Sequence, residues 1–416
     1  MLRLMPESWS CRAKSLFWAL PLLALLASCG DASQATGEGG QGGTNPPSSD
    51  APLYAVSVRV PGTPVGAFVA LVDSLEADTV VDLAGSLEIP NGGLAIGPEF
   101  GDAIYVVDGA TPRLTKYEVD ADGSFQAGET LSTQQFSSSS NSATTGNFIF
   151  ISETKAYIVD TLSSLIVIWN PASMMITGTI DISGARIDGF IPLIALQSVF
   201  RGTELVFPLA YVSFESAFGP DSSLVFVDTE TDTINRIVSV DDCAQIGGVL
   251  IDDAGDIHAG SGAPAVFNRL AGKSFGTECT VRVPAGTYDL EDYTVFSART
   301  GGASAGELLQ QSGTRAYVRV VDESLLDEDA ADLGDFNGSQ AWRWGLLDLA
   351  SNEPFRLITS LEPKLGSTTP SRVEGEIWAS QGEPDFASTR LVNLSGDEPR
   401  VGLEAPGIIS NVFRVR

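Results

Sequence analysis

From Tyr54 onward the chain is written in short apolar runs of five to seven residues, many alternating with polar positions and each broken by Gly, Asp, Asn or Pro. Runs of that length and punctuation predict strands joined by tight turns, because a period of two places every second side chain on one face of a sheet. Helical spacing is nearly absent, and "SAGELLQQ" near Ser304 is the one short helical candidate. The stretch "NFIFISETKAYIVDTLSSLIVIWNPASMMITGTIDI", Asn147 to Ile182, predicts four antiparallel strands in succession: "NFIFIS", "KAYIVD", "SLIVIWN" and "GTIDI".

That unit recurs. "AYIVDTLSSLIVIWN" is matched by "IYVVDGATPRLTKYE" from Ile104, and further copies are anchored at Tyr211, Ile257, Tyr317 and Trp378. The anchors, starting from Tyr105 and Tyr157, follow one another at about fifty to sixty residues, a period that marks a repeat of one four-stranded sheet. Near the N-terminus "LYAVSVRV", "GAFVALVDS" and "DLAGSLEI" supply three strands, and "IISNVFRVR" at the far end supplies one. Three and one complete a seventh copy, which would pair the two ends and hide two sheet edges. The expected fold is all-β: a seven-bladed β-propeller over residues 51–416, with Ile408–Arg416 as the innermost strand of the blade that contains Tyr54. Repeated residues are then scaffold. Tyr157 and Trp169 are expected to pack between blades, and Asp160 to accept turn N–H bonds. "GFIPLIALQSVF" is expected to be a buried strand.

The first 28 residues depart from this grammar. Arg3, Arg12 and Lys14 precede the apolar "SLFWALPLLALLAS", which is too short for a membrane span and leads into "LASC", Leu26 to Cys29. This is a lipobox: residues 1–28 are expected to be a signal peptide, with Cys29 carrying the lipid. Residues 29–50 are Gly-, Ser- and Pro-rich and form a tether that buries too little surface to order itself. The expected location is the bacterial cell envelope, with Gly30 after the Cys favouring the outer membrane and the membrane as a partner through the anchor. In that oxidising setting the remaining pair, Cys243 and Cys279, is expected to form a disulfide. It would close a loop of about 35 residues, for which chain entropy predicts about 3–4 kcal/mol. The formal net charge is −29, which repels nucleic acid and anionic headgroups; no nucleic-acid partner is expected, and the chain is expected to be a monomer.

"LVFVDTETDTINRIVSV" resembles the YVTN-type propeller repeat, and "GGVLIDDAGDIHAGSG" is similar to NHL-type repeats. Together with the lipobox, the Gly-rich tether and "YVVDGATPRLTKYEVDADG", the chain resembles envelope lipoproteins of myxobacteria, some associated with siderophore-iron uptake of the myxochelin type. That resemblance implies a non-enzymatic binding or scaffold propeller, accessory to siderophore transport.

Candidate chemistry is sparse. His258 is the single histidine, which excludes multi-His metal sites and leaves one candidate base; its expected place is the core or the channel. "GASAG", Gly302 to Gly306, spells a nucleophile elbow, but an elbow needs a strand-to-helix turn in an α/β fold. Asp120-Ala121-Asp122-Gly123 starts like a calcium loop, lacks the acidic residue at the twelfth position, and predicts a hairpin turn. "DESLLDEDAADLGD", Asp322 to Asp335, interrupts the blade of Tyr317; Asp327, Asp329, Asp332 and Asp335 are the candidate Ca²⁺ ligands, though the expected state is a solvated loop without a cofactor. Trp342 and Trp344 share a strand face and could stack a flat ligand. With His258 they are the candidate ligand-binding residues, for a small molecule or a protein on one propeller face. The alternatives are a Ca²⁺-dependent propeller lactonase or hydrolase, and a structural surface-assembly component.

Overall fold

The computed structural model describes residues 51–62, 65–99, 101–136, 147–195, 197–213, 218–241, 243–272, 279–291, 299–300, 303–326, 333–351, 355–366 and 368–416. The expected signal peptide, tether and Cys29 lie outside the described residues, as do Asp327, Asp329 and Asp332.

Seven antiparallel sheets stand in a ring. Blade 1 is Leu94–Ile96, Ile104–Val107, Arg113–Val119 and Phe125–Ser132, from the inner to the outer strand; blade 2 is Phe148–Ser152, Lys155–Asp160, Leu165–Asn170 and Met175–Asp181. Blade 6 repeats the plan with Pro370–Val373, Glu376–Gly382, Ser388–Asn393 and Arg400–Pro406. Blade 7 closes the ring as expected: Ile408–Arg414 pairs antiparallel with Tyr54–Val60, followed by Gly66–Val72 and Leu87–Glu88. Every anchor found in the sequence sits on the second strand of its blade.

Seven hydrophobic clusters lie between the seven blades, one for each neighbouring pair. A middle strand therefore serves two cores at once. In blade 2, Tyr157 and Val159 face blade 3 while Ala156 and Ile158 face blade 1. Burial on both faces explains the near-continuous apolar "AYIV" and "LIVIW". Alternation survives in outer strands such as Met175–Asp181, which show one face to water.

The repeated tyrosine is a clasp. Tyr105 donates to the Pro171 carbonyl (3.2 Å), Tyr157 to the Asp232 carboxylate and Tyr317 to the Gly396 carbonyl, each a turn between the third and outer strands of the next blade. Trp169 packs edge-on against Tyr105 of the preceding blade, 5.3 Å between ring centres. Asp160 accepts the Ser163 N–H at 3.1 Å, and the Asp120–Gly123 turn is closed by Asp122, which accepts the Ser124 N–H.

Blades 3, 4 and 5 depart from the plan. The inner strand of blade 3 is split into Phe190–Ile194 and Val199–Arg201, both paired with Glu204–Ser213, so "GFIPLIALQSVF" is two short strands. Phe218–Asp228 and Thr233–Val240 complete that blade. Blade 4 has Ile246–Ile251, Ile257–Ser261 and Thr280–Val283, and among the described residues its outer edge shows one bridge between Arg282 and Glu291. The inner strand of blade 5 is Ala303–Ser312, followed by Arg315–Asp322, Trp342–Asp348 and Arg356–Leu357.

Two sequence expectations are corrected here. "SAGELLQQ" is a strand, because pairing along Arg315–Asp322 and contact with the inner strand of blade 4 outweigh local helix preference. Ser304 thus lies within a strand and not at a strand-to-helix turn. Conversely "APAVFNRL" forms helix α1, Ala263–Leu270, which is opened by Pro264 in the first turn, where a missing N–H costs nothing. Helix α2, Leu333–Gly338, interrupts blade 5. Both helices join second to third strands, and both lie on one propeller face. There Val266, Phe267, Phe336 and Trp342 make an additional small core. The Cys243–Cys279 disulfide, Cα–Cα 5.4 Å, ties the starts of the inner and third strands of blade 4 on the same face. None of the helices among the described residues is long and apolar enough to cross a membrane.

Candidate functional site

The opposite face is open. Its connections run from inner to second strands and from third to outer strands. Beside blades 1 and 2 it carries a groove of about 600 Å³ that includes Glu99, Asp102, Tyr105, Lys116, Arg414 and Arg416. The groove borders the one place in the ring where inner and second strands are not joined by a turn. There Leu53 and Arg416 meet through backbone hydrogen bonds, Leu53 N–H to the Arg416 carbonyl at 3.0 Å.

Glu99 also lines a second cavity of about 250 Å³, the central channel where inner strands of several blades converge. Groove and channel mouth therefore meet at one carboxylate. The channel walls are apolar where Phe148, Phe150 and Phe413 face it and polar where Gln197, Ser371, Arg372 and Asn411 do. Gln197 reaches the channel because the inner strand of blade 3 breaks between Ile194 and Val199. Gly97 is required here, since a Cβ would fall inside the Phe413 ring, 2.1 Å from Cδ2. Ser371 donates to Asn411 Oδ1 (3.1 Å) and accepts the Val412 N–H (3.1 Å), while Asn411 Nδ2 donates to the Ala95 carbonyl (3.3 Å). That chain of bonds ties blades 6, 7 and 1 around the mouth.

Glu99 and Arg372 are different. Neither side chain makes a hydrogen bond or a close ion pair among the described residues. Glu99 is open to water in the channel mouth yet ringed by protein, and burial raises its pKa above the ordinary carboxylate value while the Arg372 charge pulls it down. Burial is the larger influence, so the carboxyl holds its proton more tightly than a free one. Arg372 is exposed on the inner strand of blade 6.

The candidates named from the sequence lie elsewhere. His258 is 2% exposed on the second strand of blade 4, with Nε2 3.0 Å from Asp252 Oδ2. Asp252 also accepts the Ala254 and Asp256 N–H groups, so the histidine serves a turn and does not face the channel. Trp342 and Trp344 are buried, and their faces are taken by the Arg319 guanidinium, 5.6 and 4.6 Å from the ring centres. No open indole face remains for a flat ligand. Asp335 is exposed in the first turn of α2. Among the described residues no three His, Cys, Asp or Glu side chains are grouped to hold a metal. Sequence reasoning missed Glu99 and Arg372. The one signal is a charged residue in or just after an inner strand, and it does not single them out, since Arg201, Glu307 and Arg414 also lie in inner strands.

No family model matches the chain, and no curated protein matches it in sequence. Among solved structures it is similar to a candidate 6-phosphogluconolactonase from Bacteroides uniformis, with a TM-score of 0.52, 11% identity, and 88% of this chain and 100% of that chain covered. A second candidate 6-phosphogluconolactonase, from Bacteroides fragilis, gives a TM-score of 0.50 and 8% identity over 89% of this chain and 100% of that chain. At such identities the likeness is one of fold: the protein is a seven-bladed β-propeller.

Proposed function

We propose that this propeller is a non-enzymatic binding protein of the bacterial envelope, held by a lipid on Cys29 and a tether over residues 29–50, which receives a small polar solute at the channel mouth. The observation that carries the reading is the junction of groove and channel at Glu99, with Arg372 nearby and neither charge used by the fold. Leu53, which the proposed tether precedes in the chain, lies at the groove rim, paired through its backbone with Arg416. The resemblance to siderophore-linked lipoproteins supplies one setting, with a ferric siderophore as the solute in the wider groove.

The test is a thermal-shift screen of the mature protein against a metabolite panel that includes a ferric catecholate siderophore and a gluconolactone, repeated with Arg372→Gln. A ligand whose shift is lost in Arg372→Gln supports the reading. Silence across the panel, or lactone turnover by the wild type, overturns it. Anchoring is tested separately: Cys29→Ser is expected to release the protein from membranes, and wild type that takes up no labelled fatty acid would sink the lipid assignment.

A further inference from the structure

The channel mouth holds one cation and one carboxylate from different blades, Arg372 of blade 6 and Glu99 beside blade 1. Each is free of the hydrogen bonds that hold the ring. They are close enough for the Arg372 charge to be felt at Glu99, but they form no direct ion pair among the described residues. Two opposite charges that line one cavity without pairing can both be engaged by a single polar solute seated between them. The same cavity is lined by Phe148, Phe150 and Phe413. A cavity of about 250 Å³ holds about eight waters, and so a solute of about eight to ten non-hydrogen atoms.

We infer that the channel mouth recognises a short carboxylic acid that carries a hydrogen-bond donor on its second carbon and an apolar tail: a 2-amino or 2-hydroxy acid of about leucine's size. This rests on the binding reading above and specifies it. The ligand carboxylate takes the two parallel N–H groups of Arg372, a match the planar guanidinium makes better than any other side chain. The ammonium or hydroxyl donates to Glu99, and the tail lies on the phenylalanine rings. Burial raises the Glu99 pKa, and a ligand ammonium would lower it again, so binding of an amino acid would release a proton on the acid side of neutrality.

Four probes test this by titration calorimetry on the mature protein: L-leucine, L-2-hydroxyisocaproate, isocaproate without the donor, and leucinamide without the carboxylate. Leucine or the hydroxy acid is expected to bind at least tenfold more tightly than both controls, and whichever is tighter names the donor. Arg372→Gln should cost at least tenfold for the tight probe. Glu99→Gln should erase the preference over isocaproate while leaving isocaproate itself unchanged. Because neither side chain supports the fold, both variants should keep the wild-type melting temperature within a degree or two, which separates a lost contact from a lost structure. Equal binding of all four probes, or tight binding untouched in Arg372→Gln, overturns the inference. If the metabolite screen yields a ligand of another class while these four stay silent, the ligand class falls and the binding reading stands; silence in both overturns both.

Discussion

Blade 2 and blade 5 spell the same sentence and use it differently. Both place a buried tyrosine on the second strand, Tyr157 and Tyr317, and both put a tryptophan on the third, Trp169 and Trp344. Two residues after the tyrosine, blade 2 has Val159, fully buried in the core shared with blade 3. Blade 5 has Arg319 there, 1% exposed. The guanidinium is accommodated by the two indoles at its faces and by the Leu365 carbonyl, which accepts from Nη2 at 2.6 Å. Blade 2 shows what the repeat requires, an apolar residue facing each neighbour. Blade 5 shows how a departure is absorbed: a buried charge recruits aromatic faces and a backbone acceptor, and the tryptophans that looked available for a ligand are consumed in doing so.

The largest effect should come from Arg319. Arg319→Ala leaves a cavity between two indoles and an unpaired Leu365 carbonyl, and should cost about 3–5 kcal/mol. Arg319→Met gives the apolar character that Val159 has in blade 2 and fills similar volume, so that only the unpaired Leu365 carbonyl remains as a loss, and should cost about 1–2 kcal/mol. Thermal or denaturant unfolding of the pair decides the matter, since equal losses in both would mean that the charge itself, not the filled space, holds the site.

A smaller effect should separate the two tyrosine clasps. The Tyr157 hydroxyl donates to a carboxylate and the Tyr317 hydroxyl to a peptide carbonyl. Hydrogen bonds to charged acceptors are the stronger kind, so Tyr157→Phe should cost about 2 kcal/mol and Tyr317→Phe about 1 kcal/mol. The reverse order in unfolding midpoints would show that acceptor charge does not rank these clasps. Lys155 also reaches Asp232, at 2.9 Å, and its counterpart in blade 5, Arg315, reaches Asp397 at 2.5 Å in a more exposed pair; Lys155→Met should therefore weaken the fold by a further fraction of about 1 kcal/mol and Arg315→Met by less.

The smallest effect at neutral pH, and the most general, is alkaline. Burial lifts the Tyr105 and Tyr317 phenols from the ordinary 10.0 to about 12. Burial, aided by the Asp232 carboxylate, lifts Tyr157 further. A folded pKa above the unfolded one means that the stability contributed is whole below pH 10 and is lost as pH rises through about 12. Unfolding midpoints should be flat up to pH 10 and fall steeply above it, and Tyr157→Phe should flatten that fall. A tyrosinate absorbance that titrates fully near 10 before unfolding would contradict the clasp.

Much of this architecture was legible in order. Tyr54, Tyr105, Tyr157, Tyr211, Ile257, Tyr317 and Trp378 mark the second strand of each blade, and the three-and-one closure of blade 7 followed from counting strands. These features are local: apolar runs, turn residues and a period, which the backbone must satisfy wherever the chain folds. The pairing of Cys243 with Cys279 was legible too, because the expected signal peptide and lipid assign roles to the other two cysteines. What the sequence could not determine depends on residues far apart in the chain. Whether "SAGELLQQ" is strand or helix was decided by the neighbouring strands of blades 4 and 5, which supply partners that local preference cannot foresee. Whether Trp342 and Trp344 face a ligand was decided by Arg319. Glu99 and Arg372, 273 positions apart in number, share a cavity only because the ring brings blade 6 round to blade 1. Periodicity determined the scaffold since every blade repeats it; the site was decided by closure, which sets side by side residues that no repeat relates.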